Sequence, residues 1–163
     1  MKKKIIGIFA LLLAAVIGIN ISGCAKRVQA ADLSRGITPV KVEGKAADAK
    51  YSAAQMNFAL KLFEKTFEEK GKENLLVSPV SVTLALAMTS NGADGETKKQ
   101  FETLLGSGMD TDELNAYLYT FLQSLSNENA DKLKIANSIW FNTEHHSFEA
   151  DRTFLQKNAD WYS

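Results

Sequence analysis

Few side chains in this sequence could do chemistry, and their spacing limits what that chemistry is. Cys24 carries the only thiol of the 163 residues. A lone thiol forms no internal disulfide; it can be acylated, oxidised or left free. His145 and His146 are adjacent, so on most backbones they point apart. Glu149 alone stands at helical spacing from them, which is one carboxylate and too few ligands to complete a zinc site, and a solvated loop is the expected setting. No Gly-x-Ser-x-Gly elbow, Ser-x-x-Lys pair or glycine-rich phosphate loop occurs. Ser78 and Ser81 fall at the start of a helical pattern, where hydroxyls cap free backbone N–H groups. The carboxylates scatter over faces that pattern as exposed. This distribution shows no active site, and no cofactor or metal is expected.

The setting of Cys24 is more specific. Lys2, Lys3 and Lys4 precede an apolar run from Ile5 to Ile21 in which Asn20 is the only strongly polar residue. Small residues follow at Ser22 and Gly23, directly before Cys24. A basic start, an apolar stretch and a small-residue end describe an export signal. The order Ile21-Ser22-Gly23-Cys24 resembles the bacterial lipobox. That resemblance implies cleavage before Cys24, diacylglyceryl transfer to its sulfur and acylation of the new amino terminus. Two or more acyl chains give stable membrane residence, whereas one gives marginal binding. Two plainer alternatives are an uncleaved membrane helix, for which the run is short, and an ordinary cleaved signal that leaves a free thiol. The expected location is the cell surface, lipid-anchored to a bacterial membrane.

The rest must supply the folded part. Removal of residues 1–23 leaves about 140, enough for one domain. The whole chain is formally neutral, and loss of the three leader lysines makes the remainder −3. That balance excludes an electrostatic nucleic-acid binder. Residues 24–50 are poor in large apolar side chains and read as a flexible tether.

Order is expected from Tyr51. Ser52 and Gln55 have capping-box spacing, and Met56, Ala59, Leu60, Phe63 and Phe67 recur as one apolar helical face that ends near Gly71. Leu75 to Val77 reads as a brief strand. Ser78-Pro79 opens a helix so apolar on every side, from Val80 to Met88, that it should be buried all round. Further helices start near Asp94 and Asp110. From Leu133 to Phe141 apolar and polar residues alternate, which predicts a strand, and helix returns from Phe148. The helical pattern is still running at Ser163, and the long strand has no clear partner. The expected chain is therefore part of a larger α+β domain.

Asn74-Leu75-Leu76-Val77-Ser78-Pro79-Val80-Ser81 resembles the Asn-x-x-x-Ser-Pro-x-Ser segment of serpins. Asn57-Phe58-Ala59 lies upstream of it. Ala85-Leu86-Ala87-Met88, Asn91 to Thr97, and Ala136-Asn137-Ser138-Ile139-Trp140-Phe141 follow in the family's order. The register holds from about Tyr51 to Ser163. The resemblance implies the amino-terminal part of a serpin fold over 51–163: helix A (Ser52 to Lys70), strand 6B (Leu75 to Val77), helix B (Pro79 to Ser90), helices C and D, strand 2A (Leu133 to Phe141) and the start of helix E. It assigns Asn74, Ser78 and Ser81 to the shutter and Ala136, Asn137, Trp140 and Phe141 to the strand 2A motif. It implies an inhibitor of serine, or cysteine, endopeptidases that acts as a suicide substrate and is itself no enzyme, with a reactive loop lying beyond these residues. A non-inhibitory binding module and an acyl-serine or solute-binding lipoprotein are the alternatives. Residues 115–129 contain no Lys or Arg, so the resemblance implies no heparin site on helix D.

Overall fold

The computed structural model describes residues 32–71, 74–128, 135–142 and 149–163. Cys24, His145, His146, Leu133 and Phe148 lie outside the described residues. Among the described residues five helices follow one another: α1 (Ala49–Lys70), α2 (Pro79–Ser90), α3 (Gly95–Gly106), α4 (Thr111–Glu128) and α5 (Arg152–Tyr162).

Most helix starts follow from local chemistry. Ser78 caps α2 with Pro79 at its first position, and Asp94 precedes α3. Leu114 N–H donates to the Asp110 carbonyl as α4 begins. The Asp151 carboxylate accepts from the N–H groups of Thr153 and Phe154, which fixes the start of α5 and lowers the pKa of Asp151. The helix expected from Phe148 therefore begins at Arg152.

The start of α1 differs from the capping-box expectation. Asp48 is its N-cap and accepts from Tyr51 N–H at 2.8 Å. The Ser52 hydroxyl instead donates back to the Asp48 carbonyl at 2.8 Å. Gln55 is spent on a tertiary bond, donating to the Leu105 carbonyl of α3 at 3.0 Å while accepting from Thr83 Oγ1 of α2 at 3.3 Å. An aspartate one turn earlier captures the free N–H groups and leaves glutamine for packing.

The core lies where α2, α3 and α4 meet one another and α1. Phe58, Leu84, Ala87, Leu105, Met109, Leu114, Tyr117 and Leu118 are buried there, and Tyr51 stacks on Tyr117 with ring centroids 4.6 Å apart. Burying a side chain such as Leu84 stabilises by about 1.5–3 kcal/mol. Gly92, just past α2, lies so close to α5 that an added Cβ would sit 2.9 Å from the Phe154 ring. Only a residue without a side chain lets the two elements meet there.

Three expectations about packing need correction. The apolar face of α1 that recurs through Met56, Leu60, Phe63 and Phe67 is not the core face; Met56 is 62% and Phe67 54% exposed. The buried stripe is Tyr51, Ala54 and Phe58, a second apolar face on the same helix. Helix α2 is buried on one side only, through Thr83, Leu84, Ala87, Met88 and Ser90, while Val80, Ser81, Ala85 and Thr89 are exposed. Neither expected strand is present among the described residues. Residues 74–78 and 135–142 are irregular, with Leu76 97% and Trp140 74% exposed. A strand exists through hydrogen bonds to a neighbour, and alternation alone supplies none.

The tether expected over 24–50 is partly structured. From Thr38 to Asp48 the chain runs as a strap on α4 and α5. Val40 N–H donates to Asp160 Oδ1 at 2.7 Å, Gln156 Nε2 to the Thr38 carbonyl at 2.9 Å, and Lys45 N–H to the Ala116 carbonyl at 2.9 Å. Gly44 sits against Thr120, leaving no room for a Cβ. Low apolar content does not imply freedom when backbone groups and charges make the contacts.

Candidate functional site

The residues assigned to the shutter gather at the start of α2. Ser78 caps the helix, its hydroxyl lies 2.9 Å from that of Ser81, and Ser81 N–H donates to Ser78 Oγ at 3.4 Å. Asn74 precedes them in the irregular segment, and all three are exposed. The local work of Ser78 and Ser81 is to cap the start of α2. In the strand 2A motif, Ala136 and Asn137 are exposed, Trp140 Nε1 donates to Ser138 Oγ at 2.8 Å, and Phe141 meets the edge of Phe154 at 6.3 Å between centroids. Phe141 thus reaches the ring that closes over Gly92, at the other end of α2 from Ser78.

Two clusters escaped sequence reasoning. The first surrounds the end of the strap. Asp48 accepts from the Tyr117 hydroxyl, and Lys45 pairs with Glu113. The Lys45 ammonium also stands 4.7 Å from the centre of the Tyr117 ring, and Lys50 lies 3.7 Å from the second Glu113 oxygen. The Tyr117 hydroxyl and the Tyr51 N–H hold Asp48 below its ordinary pKa. Lys45 holds Glu113 below its own, and Glu113 raises Lys45 in return. Burial raises Tyr117, and its bond to Asp48 adds to that.

The second cluster is neutral. Asn115, on α4, is 0% exposed. Its amide donates to Asn91 Oδ1 at 2.7 Å, and its own carbonyl oxygen accepts from the Tyr162 hydroxyl at 2.5 Å. Asn91 in turn donates to Asn158 Oδ1 at 3.2 Å. The chain of bonds ties the end of α2 to α4 and α5. Burial pushes the Tyr162 phenol up, so it stays a donor across the ordinary pH range. For the charged cluster the one local signal is Asp48 just before a helical run, but its partner Tyr117 lies 69 residues away, beyond reach of a local pattern.

Neither cluster has the geometry of a catalytic or metal centre. Among the described residues no three His, Cys, Asp or Glu side chains are placed to hold a metal ion. No helix among them is long and apolar enough to cross a membrane.

The helical framework and its motifs define a class. A family model, Serpin (serine protease inhibitor), matches residues 53–163, and the chain belongs to that family. Iris of Ixodes ricinus is 32% identical over 117 residues, covering 69% of this chain and 30% of Iris. Glia-derived nexin of Mus musculus is 28% identical over 109 residues, covering 64% of this chain and 25% of the nexin. The crystal structure of a thermophilic serpin, tengpin, in its native state aligns with a TM-score of 0.73 and 45% identity, over 83% of this chain and 34% of tengpin. The chain therefore spans about a third or less of these relatives. Serpins are inhibitors of proteases and not catalysts of a reaction of their own, and the fold here is the amino-terminal part of theirs.

Proposed function

We propose that the protein carrying this chain inhibits a serine or cysteine endopeptidase as a suicide substrate, at the outer face of a bacterial membrane. The supporting observation is the family match over 53–163, together with 45% identity to tengpin across the helical framework. In such an inhibitor the protease nucleophile attacks a peptide carbonyl in an exposed loop. The acyl bond to the enzyme forms, the peptide C–N bond breaks, and the amine leaves with the proton. Insertion of the cleaved loop as a new strand then traps the acyl-enzyme by releasing stored strain. The loop belongs to the part of a serpin not represented here, so the target protease is open. Asn74, Ser78 and Ser81 would stand where the sheet opens, and Ala136, Asn137, Trp140 and Phe141 would join it as a strand once neighbours pair with them.

The anchoring half rests on Cys24, the only cysteine, directly after Ser22-Gly23 and a basic, then apolar, leader. Thioether formation at its sulfur and acylation of the freed amine would hold the inhibitor at the surface. Two measurements test the reading. The whole protein should remove protease activity in a time-dependent titration that dilution does not reverse; rapidly reversible or absent loss across serine and cysteine proteases argues against it. Labelled palmitate should enter the wild-type protein and not Cys24→Ser. Failure to label the wild type removes the anchor and leaves the inhibitor.

A further inference from the structure

We infer that residues 38–48 form a charge-operated latch on α4 and α5, docked at neutral pH and released by acid or salt as a unit separate from the helical core. The latch depends neither on lipidation at Cys24 nor on protease inhibition.

The directional contacts that hold the strap are polar or ionic, and its apolar contacts are few, chiefly half-buried Val42 and Gly44 packed against Tyr119 and Thr120. Three hydrogen bonds run along it, from Val40, to Thr38 and from Lys45. Its last turn carries the cluster of Lys45 with Glu113 and Asp48 with the Tyr117 hydroxyl. Ile37 and Val42 are only half-buried, and Val40 is 62% exposed. Little apolar area therefore opposes release. The body beneath it has the reverse character, with Leu84, Leu105, Met109 and Leu114 at 2% exposure or less.

The charged and titratable groups facing the strap come from every element it touches: Glu113 and Tyr117 on α4, Asp160 on α5, and Lys50 and Tyr51 on α1; the strap itself carries Lys45 and Asp48 in the cluster, and Lys41 and Glu43, which are exposed. Only carboxylates accept the strap's two cluster contacts. Protonating Glu113 removes the ion pair and leaves Lys45 over an aromatic ring alone. Protonating Asp48 takes the charge from the group that accepts from Tyr117, and weakens the cap of α1 at the same time. Both carboxylates have depressed pKa values in the folded chain, so docking is complete above the ordinary carboxylate range and is lost as pH falls below about 4. Salt acts in the same direction, because the pairs are exposed enough to be screened. Release uncovers Tyr117 and the Ala116–Thr120 face of α4.

Hydrogen–deuterium exchange of the full chain tests the latch, with protection read against intrinsic rates. At neutral pH, Glu113→Gln and Asp48→Asn should each lower protection of residues 38–47 by about two- to fivefold, the range for exposed ion pairs. Asparagine keeps the helix cap, so Asp48→Asn separates charge from capping. About 1 M salt should lower strap protection in the wild type and add little in the double variant. Gly44→Ala should undock the strap by crowding Thr120 with every charge intact, and so gives the released level. Peptides from α2 should keep their protection throughout. The latch is overturned if the double variant and high salt leave the strap protected, if Gly44→Ala changes nothing, or if strap and α2 lose protection together.

Discussion

The strap and the asparagine corner fasten the same two helices, α4 and α5, by opposite means. At the strap, Lys45, Asp48 and Glu113 carry full charges on exposed or half-exposed side chains, and the fourth member, Tyr117, is buried. At the corner, Asn91, Asn115, Asn158 and Tyr162 are neutral, and Asn115 is sealed from water. Exposed ion pairs are weak and respond to salt and pH. A satisfied neutral network inside a protein responds to neither, but losing one member strands the others without partners. The molecule thus has one fastening that conditions can undo and one that only mutation can.

The largest effect should come from breaking the neutral corner. Asn115→Ala strands Asn91 Oδ1 and the Tyr162 hydroxyl, and should cost about 2–5 kcal/mol by denaturant unfolding, with no change between low and high salt. Gly92→Ala pushes a Cβ into the Phe154 ring and should cost about 1–3 kcal/mol while leaving the strap docked. Asn115→Asp would turn the neutral corner into a titrating one. A carboxyl in that buried site has a raised pKa, so the substitution should cost least, relative to wild type, below about pH 4 and more as pH rises, opposite to the strap. Glu113→Gln should move global stability least and act on strap exchange alone. A pH-sensitive corner in the wild type, or a Glu113→Gln effect larger than that of Asn115→Ala, would erase the distinction.

What the sequence disclosed follows the range of each interaction. Ser78-Pro79, Asp94 and Asp110 are local signals, and α2, α3 and α4 begin where those residues place them. The serpin register rests on the same short segments and agrees with the family match. Helix α1 misled in two ways. Two caps compete, and Asp48 wins over Ser52; two apolar stripes compete, and the one through Phe58 is buried. Only partners elsewhere in the chain decide such contests. The strap reads as a tether because a backbone segment held by N–H groups and charges leaves no apolar pattern. Lys45 and Glu113 lie 68 positions apart, and no window joins them. The expected strands at 75–77 and 133–141 needed neighbours to be strands at all. Asn91 caps the carboxyl end of α2, a local role, but its amide also bridges to Asn115 and Asn158, which no local pattern shows.

The central claim is that this chain is the amino-terminal part of a protease-trapping serpin. Its most direct test mixes the whole protein with a panel of serine and cysteine proteases and resolves the products under denaturing conditions by mass. Trapping predicts a species at the summed mass of protease and cleaved inhibitor, lost when the protease nucleophile is mutated. If active proteases either ignore the protein or cleave it and go free, with no covalent species, the account is contradicted.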